Sequence, residues 1–365
     1  MTTEPANERA ANFHRMMRRR GGAWLPLDVR VTAPVADQIE RRIGTRNVVE
    51  AFDLDFDGFG PVFAHEPERW RQAFDALGVA LPEHCEIGGY GITHAVPPAA
   101  SIGQAYHLRE MLHPLAAVTD VAQLERLPWP KLDDPALDTA CAANVHRIHA
   151  DGRVAVGHCA CTIFEHAWYL RGMDMLFADL IDGSDVGPWL LDWFTERSVR
   201  AVGAMARAGV DCIWLGDDVG TQRGMMMSVP FWREHLKPRL TRVVEAIRRH
   251  QRLAVVVNYH SDGDVRDIID DLVEVGIDSL NPVQPECMPV AEVAAAHRHH
   301  LAFWGMVGTQ STMPFGTPAD VRQVVAGLAK LARDGAGIVV APTHVLEPEV
   351  PWDNILALVD AVRHV

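Results

Sequence analysis

Apolar runs and stretches of helical periodicity alternate along more than half of this chain. Between the runs, segments such as 229–250, 264–276 and 317–335 carry apolar residues at helical spacing. The runs themselves are rich in β-branched residues, and each breaks into polar, Gly- or Pro-containing sequence: 153–162, 211–222, 252–264, 276–287, 301–311 and 337–348. Strands that alternate with helices in this order predict a parallel sheet.

Such frequent alternation predicts an α/β fold that closes into a (β/α)8 TIM barrel, with its chemistry at the C-terminal ends of the strands. We expect one domain over residues 1–365, because no Ser/Gly linker or low-complexity tract divides the chain. The pattern predicts an N-terminal helical extension at 9–21 and a first strand at 23–31. The segment 47–60 predicts a second strand that runs into an acidic loop with Asp53, Asp55 and Asp57. A segment rich in Gly, Pro and His at 83–118 predicts an inserted cap over the barrel mouth.

Charge narrows the classes of partner. The formal net charge of −14 and the pI near 5.7 argue against nucleic acid and against an anionic membrane surface. The N-terminus lacks the apolar region of a signal peptide, and no run approaches the roughly 18 apolar residues of a spanning helix. The sequence therefore predicts a cytoplasmic protein that binds a small-molecule substrate. It leaves the oligomeric state open, with a homodimer among the alternatives.

The polar residues after three predicted strands are candidates for proton transfer and substrate binding. Asp217 and Asp218 follow one strand, so one of them is expected to point into the mouth as a base or as a partner of a ligand. The amides of Asn281, Gln284 and Gln310 can hydrogen-bond a polar substrate, or can instead satisfy loop backbone groups.

His158 begins a His-Cys-x-Cys sequence at the end of another predicted strand and is a candidate substrate-binding residue. Cys159 and Cys161 would share one face of a continuous strand. This arrangement is either an edge that binds a soft metal or a set of small residues that pack, because two thiols alone do not complete a four-ligand site.

Several blocks of the sequence resemble the uroporphyrinogen decarboxylase superfamily. They are 26-PLDVRV, 128-PWPKLDDP, 164–180, 216–240, 258–286 and 341-APTHVLEPEVPWDNILALVDAV. The resemblance implies a (β/α)8 barrel and a superfamily that includes porphyrinogen decarboxylases and cobalamin- or coenzyme M-linked methyltransferases. A fold shared by several activities does not choose among them.

The segment after the first predicted strand departs from the porphyrin enzymes. The resemblance implies two arginines four residues apart that bind substrate carboxylates. Here Arg30 matches the first, and Pro34 stands at the second position. One guanidinium cannot offset the desolvation of eight carboxylates, so we expect no activity on porphyrinogens.

The methyltransferase branch implies a metal site. In its members, a His-x-Cys pair and a distant Cys hold zinc. The resemblance places His260, Asp262 and His344 of this chain at these three positions. A set of two histidines and a carboxylate suits zinc or iron(II). Cys287 is a further candidate ligand. The alternative is that His260 and Asp262 only cap the helix predicted near Asp264.

Together these features predict a metal-dependent enzyme that transfers a group, methyl first among the options, to or from a small polar substrate. Asp217, Asp218 and His344 are the candidates for catalysis. A metal-independent decarboxylase or lyase of a non-porphyrin substrate is the first alternative, and a corrinoid- or substrate-binding partner protein is the second. The sequence lacks the corrinoid motif Asp-x-His-x-x-Gly, so any corrinoid is expected to arrive on a separate protein.

Overall fold

The structure, a computed structural model, describes residues 5–95, 110–250 and 255–365. The strands are β1 (Phe56–Phe59), β2 (Cys85–Ile87), β3 (Thr93–Ala95), β4 (Met111–Leu112), β5 (Val154–Ala160), β6 (Cys212–Gly216), β7 (Gly220–Thr221), β8 (Gly224–Met225), β9 (Val256–His260), β10 (Ser279–Asn281), β11 (Ala302–Val307) and β12 (Ile338–Pro342).

Helices lie between and around these strands. They are α1 (Glu8–Met17), α2 (Ala33–Ile43), α3 (Val48–Ala51), α4 (Pro67–Ala76), α5 (Val121–Glu125), α6 (Ala136–Ala150), α7 (Phe164–Arg171), α8 (Met173–Asp182), α9 (Val186–Ala208), α10 (Val229–His235), α11 (Lys237–Arg248), α12 (Ile269–Val275), α13 (Val290–His297), α14 (Thr312–Phe315), α15 (Pro318–Arg333) and α16 (Trp352–Arg363), with 3₁₀ turns at Gly89–Gly91 and Arg266–Ile268. None of the described helices is both long and apolar enough to traverse a bilayer.

Seven of the strands form one parallel sheet in the order β1-β5-β6-β9-β10-β11-β12. All six apolar runs between residues 153 and 348 contribute strands to this sheet, as predicted. Their C-terminal ends therefore meet at one rim, where β9 and β10 bring His260 level with Asn281. The α/β barrel fold predicted from the periodicity is confirmed.

The first predicted strand closes the barrel without forming a regular strand. Leu27 bridges Val340 and Val31 bridges Leu346, both in parallel. On its other side the segment meets Asp55, the residue before β1: the Asp55 N–H donates to the Leu27 carbonyl at 3.4 Å, and the Asp55 carboxylate accepts the Leu27 N–H at 2.9 Å. This segment thus joins the two edges of the sheet and carries Arg30 to the barrel mouth.

The prediction of a strand that runs into an acidic loop over 47–60 is wrong in its order, because the strand β1 lies in the second part of this segment. Val48–Ala51 is a short helix whose start is capped by the Asn47 side chain, which accepts the Val49 N–H. A local hydrogen bond of this kind overrides the β-branched character of Val48 and Val49. Two of the aspartates in this segment have different surroundings: Asp53 is exposed in a left-handed turn, whereas Asp55 is buried.

The helical segments match the periodicity, and their ends carry recognisable stop and start signals. Helix α15 begins with a capping box between Thr317 and Asp320. The predicted helix at 264–276 begins with a 3₁₀ turn at Arg266 and continues as α12. The N-terminal helix forms as α1.

The predicted cap contains a small antiparallel sheet of β2, β3 and β4. The segment after β4 is anchored by Arg171 of α7, which donates to the Leu115 and Val118 carbonyls. Arg171 also pairs with Asp179. The remainder of the predicted cap, residues 96–109, lies outside the described residues.

A row of contacting aromatic side chains lies inside the barrel. Phe13 from α1 packs edge-on against Phe56 of β1, with ring centres 5.4 Å apart. Phe56 lies 4.5 Å from Trp304 of β11, which packs edge-on against Trp214 of β6 at 5.0 Å. Such pairs stabilise a core by about 0.5–1.5 kcal/mol each beyond the area they bury. The row ends at Trp214, which forms a wall of the barrel mouth.

Candidate functional site

Asp218, His260 and Asp262 come together at the rim of the barrel. His260 is the last residue of β9, and Asp218 follows β6, the neighbouring strand. The Nε2 atom of His260 lies 3.6 Å from an Asp218 carboxylate oxygen and 3.9 Å from an Asp262 carboxylate oxygen. Among the described residues, these three form the one group of metal-ligating side chains whose ligand atoms all lie within 4.8 Å of one another.

Asn281 fixes the orientation of the His260 ring. Its amide nitrogen donates to the Trp304 carbonyl at 2.8 Å, which leaves its Oδ1 facing His260 Nδ1 at 2.5 Å. An amide oxygen accepts a hydrogen bond, so Nδ1 carries the proton of the neutral ring. Nε2 then presents its lone pair to the two carboxylates, which is the usual arrangement of a histidine ligand.

The electrostatics of the group favour a positive charge. Burial alone would lower the pKa of His260, but Asp262 and Asp218 outweigh it and the pKa is raised above its ordinary value. The two carboxylates thus stabilise either an imidazolium or a bound cation between them. One imidazole and two carboxylates suit a divalent metal and leave coordination positions for water or substrate.

Asp262 takes part in this group and does not cap a helix. The chain turns at Gly263, and the first residue with helical geometry is Arg266, whose N–H is accepted by Asp264. The Asp262 backbone N–H instead donates to Asp218 at 2.8 Å. The geometry therefore favours the metal-site interpretation of the His-x-Asp pair over helix capping.

The adjacent aspartates after β6 have different surroundings. Both oxygens of Asp217 accept the Ile163 N–H at 3.0 Å, and one also accepts the Glu165 N–H. Burial raises the pKa of Asp217 to about 7, against the opposing effect of these backbone donors. Asp217 thus holds the start of α7, whereas Asp218 lies beside His260 and Asp262.

Glu165 is a buried carboxyl group behind Asp218. One of its oxygens accepts the Tyr169 hydroxyl at 2.7 Å, and the other accepts the Asp218 N–H at 3.2 Å. Burial, reinforced by the charges of Asp218 and Asp217, raises the pKa of Glu165 to about 8. The proximity of several acidic groups implies that this side chain holds a proton near neutral pH.

A cavity of about 130 Å³ opens beside the group. Its walls include Arg30, whose guanidinium lies 4.0 Å above the Trp214 ring, and Asp28, which lies 3.5 Å from the Arg30 Nε. Trp304 donates to Asp28 at 3.2 Å. The cavity is smaller than the roughly 300–1,000 Å³ of pockets for drug-sized ligands, so it suits a small molecule.

His344 faces this same cavity, and its ring centre lies 6.5 Å from that of His260. Cys287 is partly buried in the loop after β10, where burial, Glu286 and Asp262 raise the pKa of its thiol. Both residues lie near the group but outside the set of mutually close ligand atoms.

The amide residues predicted to bind substrate have separate roles in the structure. Asn281 lines the cavity and orients His260. Gln284 is buried and accepts the Gly263 N–H at 3.3 Å, and Gln310 is exposed and accepts from Gln222 at 2.6 Å. Gln284 thus satisfies a loop backbone group, which is the alternative that the sequence left open, whereas Gln310 pairs with another side chain.

The His-Cys-x-Cys segment does not place its two thiols together. Residue 161 follows the end of β5 in a left-handed conformation, with φ of 51°, so its thiol contacts Tyr169. The Cys159 thiol is buried against Ser198 and Arg197. His158 lines a second cavity that shares Asp28 and Arg30 with the first, and burial and the Arg30 charge hold its pKa well below the usual range.

Residues that the sequence did not single out complete the site: Asp28, Glu165, Tyr169, Trp214 and Trp304. Asp28 and Arg30 are polar positions within an otherwise apolar strand sequence, which was a usable signal. Glu165 gave none, because a glutamate in the first turn of a helix is ordinary.

Comparisons with known proteins bear on the activity. The family model described as Uroporphyrinogen decarboxylase (URO-D) matches residues 94–365. The Methylcobamide:CoM methyltransferase MtaA of Methanosarcina barkeri is 28% identical over 181 residues, and that of strain Fusaro is 26% identical. Each match covers 50% of both proteins, so the chain spans about half the length of the curated relatives it matches.

A methyltransferase from Methanosarcina mazei shares the fold. The superposition covers 97% of this chain and 98% of that protein, with a TM-score of 0.61 and 18% sequence identity. The likeness extends over the whole barrel, including the segments before residue 94.

Proposed function

Because the chain belongs to the uroporphyrinogen decarboxylase (URO-D) family and is related to methyltransferases, we propose that it is a metal-dependent enzyme that transfers a methyl or similar small group. The observation that carries the proposal is the convergence of Asp218, His260 and Asp262 at the C-terminal rim, with the His260 lone pair directed at the two carboxylates. We propose zinc as the metal, with iron(II) as the alternative.

In this proposal Asp218, His260 and Asp262 hold the cation. When bound, the metal supplies Lewis-acid activation of a thiol or other nucleophile at neutral pH. Asn281 keeps the His260 ring in the ligating tautomer, and Trp304 in turn fixes the Asn281 amide. Both partners lie in the barrel interior, where water does not compete for their hydrogen bonds.

The cavity beside the metal group binds the substrate. Arg30 offers a guanidinium with its face stacked on Trp214, so its edge can hydrogen-bond a polar or anionic end of a small molecule. The walls of Trp214 and Trp304 exclude water from the opposite side. His158, neutral in its buried setting, is a further hydrogen-bonding group next to Arg30.

We assign the proton transfer at this cavity to His344. Its ring lines the same space as His260, at a distance between ring centres of 6.5 Å that leaves room for a substrate atom between them. Asp217 is not assigned this role because its oxygens already accept backbone N–H groups of α7. The methyl donor is proposed to be a corrinoid carried by a separate protein.

One observation favours a second candidate, a metal-free lyase or decarboxylase of a small substrate. The raised pKa of His260 between two carboxylates would allow an imidazolium to act as a general acid without any metal. The two candidates differ in their need for the cation.

A methyl-transfer assay separates them. Full-length protein would be stripped with a chelator, reloaded with zinc or iron(II), and mixed with methylcobalamin and a panel of small thiols. The proposal expects thioether formation only after reloading, with a loss of at least 100-fold in the Asp262→Ala variant. Equal rates with and without metal, or no transfer to any thiol, would contradict it.

A further inference from the structure

Two acidic residues outside the metal group hold one of its members in place. The segments 163–165 and 217–218 bind each other in both directions, because each has a carboxyl group that accepts a backbone N–H of the other. We term this arrangement the reciprocal clamp. The Asp217 carboxylate accepts the Ile163 and Glu165 N–H groups, and the Glu165 carboxyl accepts the Asp218 N–H. We propose that Glu165 and Asp217 are positioning residues that fix Asp218 as a metal ligand, an inference that rests on the proposed function.

Asp218 needs such support because it lies beyond the end of β6. Its side chain is 37% exposed, and the strand ladder that fixes β6 stops at Gly216, which pairs with His260. The Asp262 N–H holds the Asp218 carboxylate directly at 2.8 Å, and the clamp fixes the backbone that places this carboxylate 3.6 Å from His260 Nε2. The Glu165 oxygen at 3.2 Å is the side-chain partner of its backbone N–H.

Glu165 can supply that support because it is itself held rigidly. It lies in the first turn of α7, it is buried, and the Tyr169 hydroxyl one turn later donates to it at 2.7 Å. Asp217 fixes the same turn from the other side through its backbone N–H groups. The start of α7 and the loop after β6 therefore move as one unit.

Gly216 lets this unit approach β9. A Cβ atom at this position would lie 2.4 Å from the His260 carbonyl oxygen, inside any real contact distance. The absence of a side chain allows β6 to deliver Asp218 beside His260. Glu165 and Asp217 then fix the course of the loop that carries Asp218 after β6.

The effect of loosening the clamp is expected on metal affinity. Residues that hold metal ligands typically contribute 10- to 100-fold to affinity when they are removed. Glu165→Ala removes the acceptor of the Asp218 N–H, whereas Glu165→Gln keeps an acceptor of similar reach. We expect Zn²⁺ affinity to fall 10- to 100-fold in Glu165→Ala and Asp217→Ala, and to stay within about threefold of wild type in Glu165→Gln.

The experiment uses the full chain without metal. Calorimetric titration with Zn²⁺ gives the affinity, and the visible absorption of added Co²⁺ reports the ligand geometry. Asp211→Asn is the matched control, because Asp211 is also a buried carboxylate that accepts a backbone N–H, from Ala155, but at the opposite end of β6. It should lower the melting temperature and leave Zn²⁺ affinity and the Co²⁺ spectrum unchanged.

The outcomes separate the two proposals. Wild-type protein that binds neither metal overturns the proposed function and the clamp together. Binding in wild type with equal affinity and spectrum in Glu165→Ala overturns the clamp alone, as does an equal loss in Asp211→Asn. Should Glu165→Ala fail to fold, Tyr169→Phe, which removes only the anchor of Glu165, is expected to weaken Zn²⁺ binding severalfold, and an unchanged affinity would refute the clamp.

Discussion

The Nδ1 atom of His260 lies 2.5 Å from the Oδ1 atom of Asn281, and the Asn281 amide nitrogen is committed to the Trp304 carbonyl. This relationship assigns the tautomer of His260 through hydrogen bonding alone. It also gives the asparagine at the end of β10 a role at the site, which is to orient the His260 ring.

Replacement of Asn281 by alanine should therefore weaken metal binding. Its loss removes the acceptor that directs the His260 lone pair, and a change of this kind costs about 10- to 100-fold in affinity. Titration of metal-free protein with Zn²⁺ measures it. Gln310→Ala, which removes an exposed amide paired with Gln222, serves as the control and should bind Zn²⁺ as wild type does. Equal affinities in all three proteins would remove Asn281 from the site.

Arg171→Met should be strongly destabilising. The guanidinium is 3% exposed, binds Asp179 through two nitrogens at 2.8 and 2.9 Å, and donates to the carbonyls of Leu115, Ala116 and Val118. Removing one partner of a buried ion pair leaves the other charge uncompensated, at a cost of about 3–5 kcal/mol. Urea unfolding followed by circular dichroism gives the change in free energy.

The ion pair between Arg239 and the exposed Asp192 provides the comparison for that measurement. Arg239→Met should lower the free energy of unfolding by less than about 1 kcal/mol, because water already solvates Asp192. A similar loss in both variants would mean that the buried pair contributes no more than a surface one.

The fold was largely predictable from the sequence, because a barrel strand is buried on both faces and reads as a continuous apolar run. The helix at Val48–Ala51 was not, since its start depends on one local hydrogen bond from Asn47. The first strand was recognised, but its reduction to two isolated bridges depends on how the sheet edges meet.

The site was predictable only in part. His260 and Asp262 were singled out because they stand where the family resemblance implies a His-x-Cys ligand pair. The sequence could not tell whether Asp217 or Asp218 faces the site. That depends on which carboxylate accepts a backbone N–H at the start of α7, 54 residues earlier. Glu165 contacts Asp218 through a similarly distant pairing, which no local pattern encodes.

Acid should destabilise the protein through Asp211. Burial would raise the pKa of this group, but hydrogen bonds from His14, His149 and the Ala155 N–H outweigh it and hold the pKa below its ordinary value. A depressed carboxyl pKa adds stability above the unfolded value near 3.8, and this stability is lost as the pH falls through the lower folded value.

Free energies of unfolding measured between pH 7 and 3 test the direction of this pH dependence. Asp211→Asn should be less stable than wild type at pH 7, and the difference should shrink as the pH falls below about 4. A difference that grows in acid would show that Asp211 does not carry the linkage.

The protein should not decarboxylate uroporphyrinogen. Pro34 lies in the first turn of α2, where it offers neither charge nor an N–H donor, and Arg41 and Arg42 of the same helix are exposed. A cavity of about 130 Å³ with one arginine does not suit a tetrapyrrole with eight carboxylates. Chromatography of porphyrins after incubation should reveal no coproporphyrin, and stepwise loss of carboxylates would refute this prediction.

The metal content of the purified protein tests the central claim most directly. Elemental analysis by mass spectrometry would compare wild type with the His260→Ala/Asp262→Ala double variant, both confirmed as folded by circular dichroism. The account predicts about one equivalent of zinc or iron per chain in wild type and under a tenth of that in the variant, because loss of two of three ligands removes the site. Equal metal content in the two proteins, or none in wild type after reconstitution, would contradict it.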